Sequence, residues 1–173
     1  AVVLISVPGP YVLGEAMDAI AAGRHPMIFS DNVPLEHEIA LKRAAAAAGV
    51  LVMGPDCGTA MVGGVGLGFA NVLRTGEGPD PEVGTVDTVD TVRTVGVVAA
   101  SGTGAQQLTS LLDDAGVPIS AVLGLGGRDL SEAVGGRSAL TALAMLQADP
   151  GTDHIVLISK PPHPATADKV LAA

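Results

Sequence analysis

Val95-Gly96-Val97-Val98-Ala99-Ala100-Ser101-Gly102-Thr103-Gly104-Ala105-Gln106 is the stretch that decides the fold. Its first five residues predict a strand buried on both faces, and the small-residue turn that follows opens a helix predicted from Thr103 to Ala115. A buried strand that passes through a glycine-containing turn into a helix is the repeating unit of an open α/β sheet. The alternation continues downstream. A strand is expected at Val117–Leu123, a helix at Leu140–Ala148, a strand at Ile155–Ile158 and a last helix from Pro164 to Ala172. Parallel strands joined by right-handed crossovers follow from that order.

Upstream the same pattern appears once more. Ala1–Val7 is a continuous apolar run, Pro8-Gly9-Pro10 turns the chain, and Leu13, Ala16, Met17 and Ile20 give Tyr11–Ala22 a helical spacing that stops at Gly23. Met27-Ile28-Phe29 predicts a short strand. Ser30-Asp31-Asn32 is expected to cap the next helix, with Pro34 in its first turn. That helix passes Glu36, Glu38 and Leu41 and ends at Gly49, with Lys42-Arg43 matched to its dipole. Val50–Met53 predicts a third strand. Between the halves, residues 75–94 carry Glu77, Asp80, Glu82, Asp87 and Asp90 against Arg93 alone, and Thr-Val repeats run from Thr85 to Val95. The expected organisation is therefore an α/β unit over 1–74, an acidic linker or insertion over 75–94, and a second α/β unit over 95–173, both units with parallel sheets. The chain opens on Ala1 inside an apolar run, as expected of a piece of a longer protein.

Composition narrows the function. Net charge is −9, from 18 acids against 9 bases, and no basic stripe is visible, so no nucleic-acid partner is expected. Hydrophobic residues make up 48 %, too many for a disordered tail. Every apolar run is broken before the roughly 18 residues that a membrane span needs. The single Cys57 excludes an internal disulfide, and the absence of a signal or lipidation motif points to a cytoplasmic protein.

In parallel sheets ligands bind at the carboxyl ends of the strands, here at Pro8-Gly9-Pro10, Ser30-Asp31-Asn32, Gly54–Thr59, Ser101–Gly104 and Gly124–Leu130. At Ser101-Gly102-Thr103-Gly104 the small residues, free N–H groups and positive helix end suit an anion, and the two hydroxyls add donors. The same turn also reads as an ordinary capped helix. No Gly-Lys-Ser/Thr follows it, and the third glycine of a dinucleotide fingerprint is missing. Arg128, at the end of the next strand, is a planar donor for phosphate or carboxylate, or else half of an exposed pair with Asp129. Lys160, past the last strand, meets an anion or is solvated. Cys57 has no histidine in a recognisable motif with it, which favours a wall residue over a nucleophile. His25, His37, His154 and His163 lack metal-ligand spacing, and no metal site is expected. His25 and His154 are expected at a rim.

At these stretches the chain resembles the α-subunit side of the succinyl-CoA synthetase superfamily, and within it the FdrA family. Val7-Pro8-Gly9-Pro10 resembles the superfamily's VPAP turn. Phe29-Ser30-Asp31-Asn32-Val33-Pro34 resembles ITEGIP, Met53-Gly54-Pro55-Asp56-Cys57 resembles IGPNC, Val97–Thr103 resembles IVSRSGT, and Gly124-Leu125-Gly126-Gly127 resembles GIGG. The resemblance implies the later part of a CoA-binding Rossmann-like domain followed by a flavodoxin-like ligase domain. It implies CoA as cofactor, contacted by Pro8, Gly9, Phe29, Ser30 and Asp31, and a phosphate or acyl phosphate held by Ser101, Gly102, Thr103, Arg128 and Lys160. It also implies a second subunit or self-association, with ATP and Mg supplied through that partner subunit. The implied activity is that of an acyl-CoA ligase subunit; the alternatives are an FdrA-type component of an oxamate carbamoyltransferase complex that grips carbamoyl phosphate, and a non-catalytic scaffold. Two departures stand out. The superfamily's glutamate that supports a phosphorylated histidine aligns with Lys160, and a tyrosine near its serine turn aligns with Gln106.

Overall fold

The computed structural model describes residues 1–70 and 93–173. The acidic stretch over 75–94 and its Thr-Val repeats thus lie outside the described residues, save for Arg93 and Thr94.

Strands β1 (Val2–Ile5) and β2 (His25–Ile28) pair in parallel, connected through a short 3-10 turn at Gly9–Tyr11 and helix α1 (Val12–Ala21). Helix α2 (Leu35–Ala48) follows. The third strand expected at Val50–Met53 is reduced to one parallel bridge between Met27 and Met53. The N–H of Leu51 is bonded to Nδ1 of His25, 26 residues away in the chain, at 2.9 Å instead of to a ladder carbonyl. His25 is therefore a half-buried acceptor at the start of β2, and burial holds its pKa below the ordinary 6.5.

The second sheet has the order β4-β3-β6-β5-β7. Its strands are β3 (Thr59–Val62), β4 (Val65–Gly68), β5 (Val95–Ala99), β6 (Ile119–Gly124) and β7 (His154–Ile158), accompanied by α3 (Gly102–Asp114), α4 (Arg137–Gln147) and α5 (Pro164–Leu171). The expected parallel pairing holds for β6-β5-β7. The sheet is nevertheless mixed, because the β3-β4 hairpin, which has Gly63-Gly64 at its tip, docks antiparallel on β6 through Met61 and Val122. Strand β5 is buried along its whole length. Its alternate residues face opposite layers: Val95, Val97 and Ala99 pack with Ala105 of α3, whereas Val98 packs with Ala139, Ala142, Leu143 and Leu146 of α4. Met27, Leu51 and Met53 share that second cluster, so one core runs from the first sheet into the second.

Helix α2 starts differently from the expectation. Pro34 is its N-cap and no side chain caps it; Ser30 instead donates from its hydroxyl toward the carbonyl of Ile5 at 3.5 Å. Helix α4 starts three residues before the expected Leu140, with Gly136 at a φ of 72° as N-cap. A remote carboxylate does the capping: Asp129 accepts from the backbone N–H of Ser138 at 3.1 Å and of Ala139 at 2.9 Å.

Candidate functional site

The loop after Met53 joins the carboxyl ends of both sheets. Gly54 N–H donates to the carbonyl of Gly124 at 3.2 Å, Asp56 N–H to Ser30 at 3.0 Å and Cys57 N–H to Ile28 at 3.0 Å. Gly126 packs directly on the carbonyl of Pro55 at a φ of 79°, a backbone position that no residue with a Cβ fills without strain. The turns after β1 and β2 are equally close. A Cβ on Gly9 would lie 2.6 Å from the carbonyl oxygen of Asp31 and would also collide with Asn32. Pro8-Gly9 and Ser30-Asp31-Asn32 are thus packed together, with Pro8, Asp31 and Asn32 exposed and Gly9 and Ser30 buried beneath them. Phe29 contributes a half-buried ring, tilted at 56° to Phe69 with centroids 5.4 Å apart.

At the end of β5, Ser101 is the N-cap of α3, its Oγ accepting from Gly104 N–H at 3.2 Å. Thr103 Oγ1 lies 3.4 Å from Ser101 Oγ. Ala105 N–H is bonded to the carbonyl of Ser101. Of the first four donors of the helix, this leaves those of Gly102 and Thr103, both exposed residues, pointing beyond the helix start. Gln106 fastens the turn to the hairpin through Nε2 to Thr59 Oγ1 at 2.9 Å.

Because β6 and β7 flank β5 in parallel, their carboxyl ends lie on either side of this turn. Lys160 reaches across from the end of β7: a Cβ at position 127 would meet its Nζ at 2.9 Å. Among the described residues no carboxylate pairs with Lys160, which is exposed. Arg128 is tied back on its inner side toward the start of α2. Its Nη2 donates to the carbonyl of Val33 at 2.8 Å, and its Nε lies 2.8 Å from Glu38 Oε2, an ion pair without hydrogen-bond alignment. The exposed Arg128–Asp129 pair allowed by the sequence does not form. Asp129 is fully buried and binds Lys42 instead.

Sequence reasoning missed the resulting network. Lys42 Nζ, itself buried, donates to Glu38 Oε1 at 2.8 Å, Asp129 Oδ1 at 2.8 Å and the carbonyl of Leu125 at 2.9 Å. The Glu38–Lys42 spacing of four was the available signal. It reads as helix-dipole matching until a partner 87 residues away turns both side chains inward.

Cys57 is buried behind the loop that joins the two sheets. Its Sγ lies 3.6 Å from the carbonyl of Thr59, and burial pushes the thiol pKa up to about 11. No group of three or more His, Cys, Asp or Glu able to hold a metal occurs among the described residues. A cavity of about 420 Å³ lies between Val2, His25, Leu51, Met53, Val62 and Leu123, with Val2 and His25 at the amino ends of β1 and β2. No helix among the described residues is long and apolar enough to cross a membrane.

No protein-family model matches the chain. It is 45 % identical over 168 residues to the uncharacterized protein YahF of Escherichia coli (strain K12), covering 97 % of this chain and 29 % of that one. It is 27 % identical over 158 residues to the alpha subunit of the ADP-forming succinate–CoA ligase of Methanothermobacter thermautotrophicus, covering 91 % of this chain and 47 % of the relative. The chain thus spans less than half the length of either relative. Among solved structures, the apo form of the dinucleotide-forming acetyl-coenzyme A synthetase 1 of Ca. Korarchaeum cryptofilum superposes with a TM-score of 0.61 at 22 % identity, over 98 % of this chain and 34 % of that one. The chain is a distant homologue of succinyl-CoA synthetase α-type, CoA-ligase-type proteins, and its two packed sheets carry their fold.

Proposed function

We propose that this chain is the nucleotide-thiol and phosphate-binding part of an acyl-CoA ligase-like subunit of FdrA type. CoA lies along Pro8, Gly9, Phe29, Ser30 and Asp31, and an acyl phosphate or phosphate lies at Ser101, Gly102, Thr103, Arg128 and Lys160. The observation that supports this most is Lys160 Nζ over Gly127, without a carboxylate partner among the described residues, on the edge where α3 presents two outward N–H groups. In a chain of net charge −9 such a site is locally positive and preorganised. The exposed N–H groups and the Lys160 charge stabilise oxygen charge on the phosphoryl group, while the Gly54–Thr59 loop sets its distance from the CoA side. Catalysis by a ligase of this kind draws on a partner subunit for ATP and Mg.

A second reading, a component that binds carbamoyl phosphate for carbamoyl transfer, is favoured by one feature. Lys160 stands where the resemblance places a glutamate, and a cation there suits a bound anion better than a histidine-supporting carboxylate. Calorimetric titration with CoA, acetyl phosphate and carbamoyl phosphate separates the readings. Binding of CoA together with acetyl phosphate supports the ligase reading, and binding of carbamoyl phosphate without CoA supports the second. Asp31→Ala is expected to weaken CoA binding more than it lowers Tm, and Lys160→Ala to weaken phosphate binding. Binding of none of the three ligands overturns both readings.

A further inference from the structure

Glu38 is a buried carboxylate whose two oxygens do different work. Oε1 accepts from Lys42, while Oε2 faces Arg128, whose side chain is 46 % exposed. Among the described residues the buried acids and bases do not balance without that arginine: Glu38 and Asp129 stand against Lys42. Arg128 supplies the missing charge, yet it does so with one side of its guanidinium. Nε and Nη2 are turned inward to Glu38 and to the carbonyl of Val33. A guanidinium has five N–H donors in one plane, so the exposed half retains donors of its own. The preceding residue, Gly127, lies beneath Lys160 Nζ.

The geometry points to Glu38 as a positioning residue, which holds Arg128 so that its outward donors meet an anionic oxygen group at the Gly126-Gly127 turn. The inference rests on the anion-binding reading of this edge given above. The ligand chemistry is a phosphate or a carboxylate, and the gain is preorganisation, since a fixed guanidinium loses less freedom on binding than a free one.

The two roles open to Glu38 predict opposite signs. If it were only a counter-charge, Glu38→Gln would add one net positive charge beside the site and tighten anion binding. As a positioning residue, its replacement by Gln releases the guanidinium and weakens binding despite that added charge. Affinities of wild type, Glu38→Gln and Arg128→Lys for acetyl phosphate, inorganic phosphate and acetate are measured by calorimetry, with Tm recorded in parallel. The expected result is a loss of about tenfold in affinity for Glu38→Gln, in line with the loss of an oriented charge-assisted contact. Comparison of the three probes assigns the contact to phosphate or to carboxylate. Unchanged or tighter binding by Glu38→Gln, whatever its Tm, overturns the proposal. If that variant does not fold, Arg128→Lys decides, because it keeps the charge and loses the planar fork. A similar loss supports the proposal, and wild-type affinity overturns it. Failure of wild type to bind any probe overturns the anion-binding reading and this inference together. Binding that is lost in Lys160→Ala but intact in Arg128→Lys overturns this inference alone.

Discussion

At the scale of single residues, Cys57 shows how burial decides chemistry. The sequence places the chain's only thiol in a glycine- and proline-rich loop at a strand end, where a nucleophile would be at home. The structure seals it at 3 % exposure, and desolvation raises its pKa from 9.0 to about 11. Below pH 9 the thiol is neutral in both folded and unfolded chains and costs nothing. Between pH 9 and 11 the unfolded chain ionises and the folded one does not, so stability falls as pH rises through this window. The ceiling of that loss is about 3 kcal/mol, at roughly 1.4 kcal/mol per pKa unit. Urea unfolding at pH 8 and pH 10.5 is expected to show a steeper loss for wild type than for Cys57→Ala. Equal losses would place an ionised or solvated thiol in the folded state. In native protein at pH 8 the thiol is also expected to resist alkylation until urea opens the fold.

At the scale of elements, Ser101 has a visible local duty as the cap of α3, and this must be separated from any duty toward a ligand. Ser101→Ala is expected to cost about 1 kcal/mol, and Ser101→Gly only a few tenths, since glycine is tolerated at an N-cap. Both variants remove the hydroxyl. A change in phosphate affinity that comes from the hydroxyl appears equally in both, whereas one that follows helix fraying appears in Ser101→Ala alone. Titration and thermal unfolding of the two variants together read the difference. Elements of this kind were legible in the sequence because their causes are local: β5 coincides with the predicted Val95–Ala99, and α3 ends one residue before the predicted Ala115. Where the cause is distant, legibility fails. The start of α4 depends on Asp129 folding back onto Ser138 and Ala139, and the missing third strand depends on a histidine side chain taking a backbone donor. The β3-β4 hairpin joins a sheet whose other strands lie beyond the acidic stretch, a pairing that no window of local sequence contains.

At the scale of the whole molecule, the candidate site exists because the two sheets hold a fixed relation, and Lys42 is the centre of a buried ion network that helps to fix it. It rises from α2, which packs on the first sheet, and ends on Asp129 and Leu125, which belong to the turn after β6. That turn carries Gly126, Gly127 and Arg128, so the ion network and the edge proposed to face an anion share one piece of backbone. In water-excluded surroundings the Coulomb gain of such a network does little more than offset desolvation, but removal of one member strands the others. Lys42→Met keeps the volume and apolar stem while leaving Glu38 and Asp129 buried and near each other with only Arg128 opposite. The expected loss is about 3–5 kcal/mol in urea unfolding, the range for breaking a buried pair. Asp129→Asn in the Lys42→Met background should recover part of it by removing one stranded charge, although asparagine caps α4 less strongly. A loss below about 1 kcal/mol for Lys42→Met would match a solvated surface pair and would mean that water reaches Lys42. A large loss with partial recovery makes the network the element that registers one sheet against the other, and with it the distance between the Asp31 turn and the Ser101 turn.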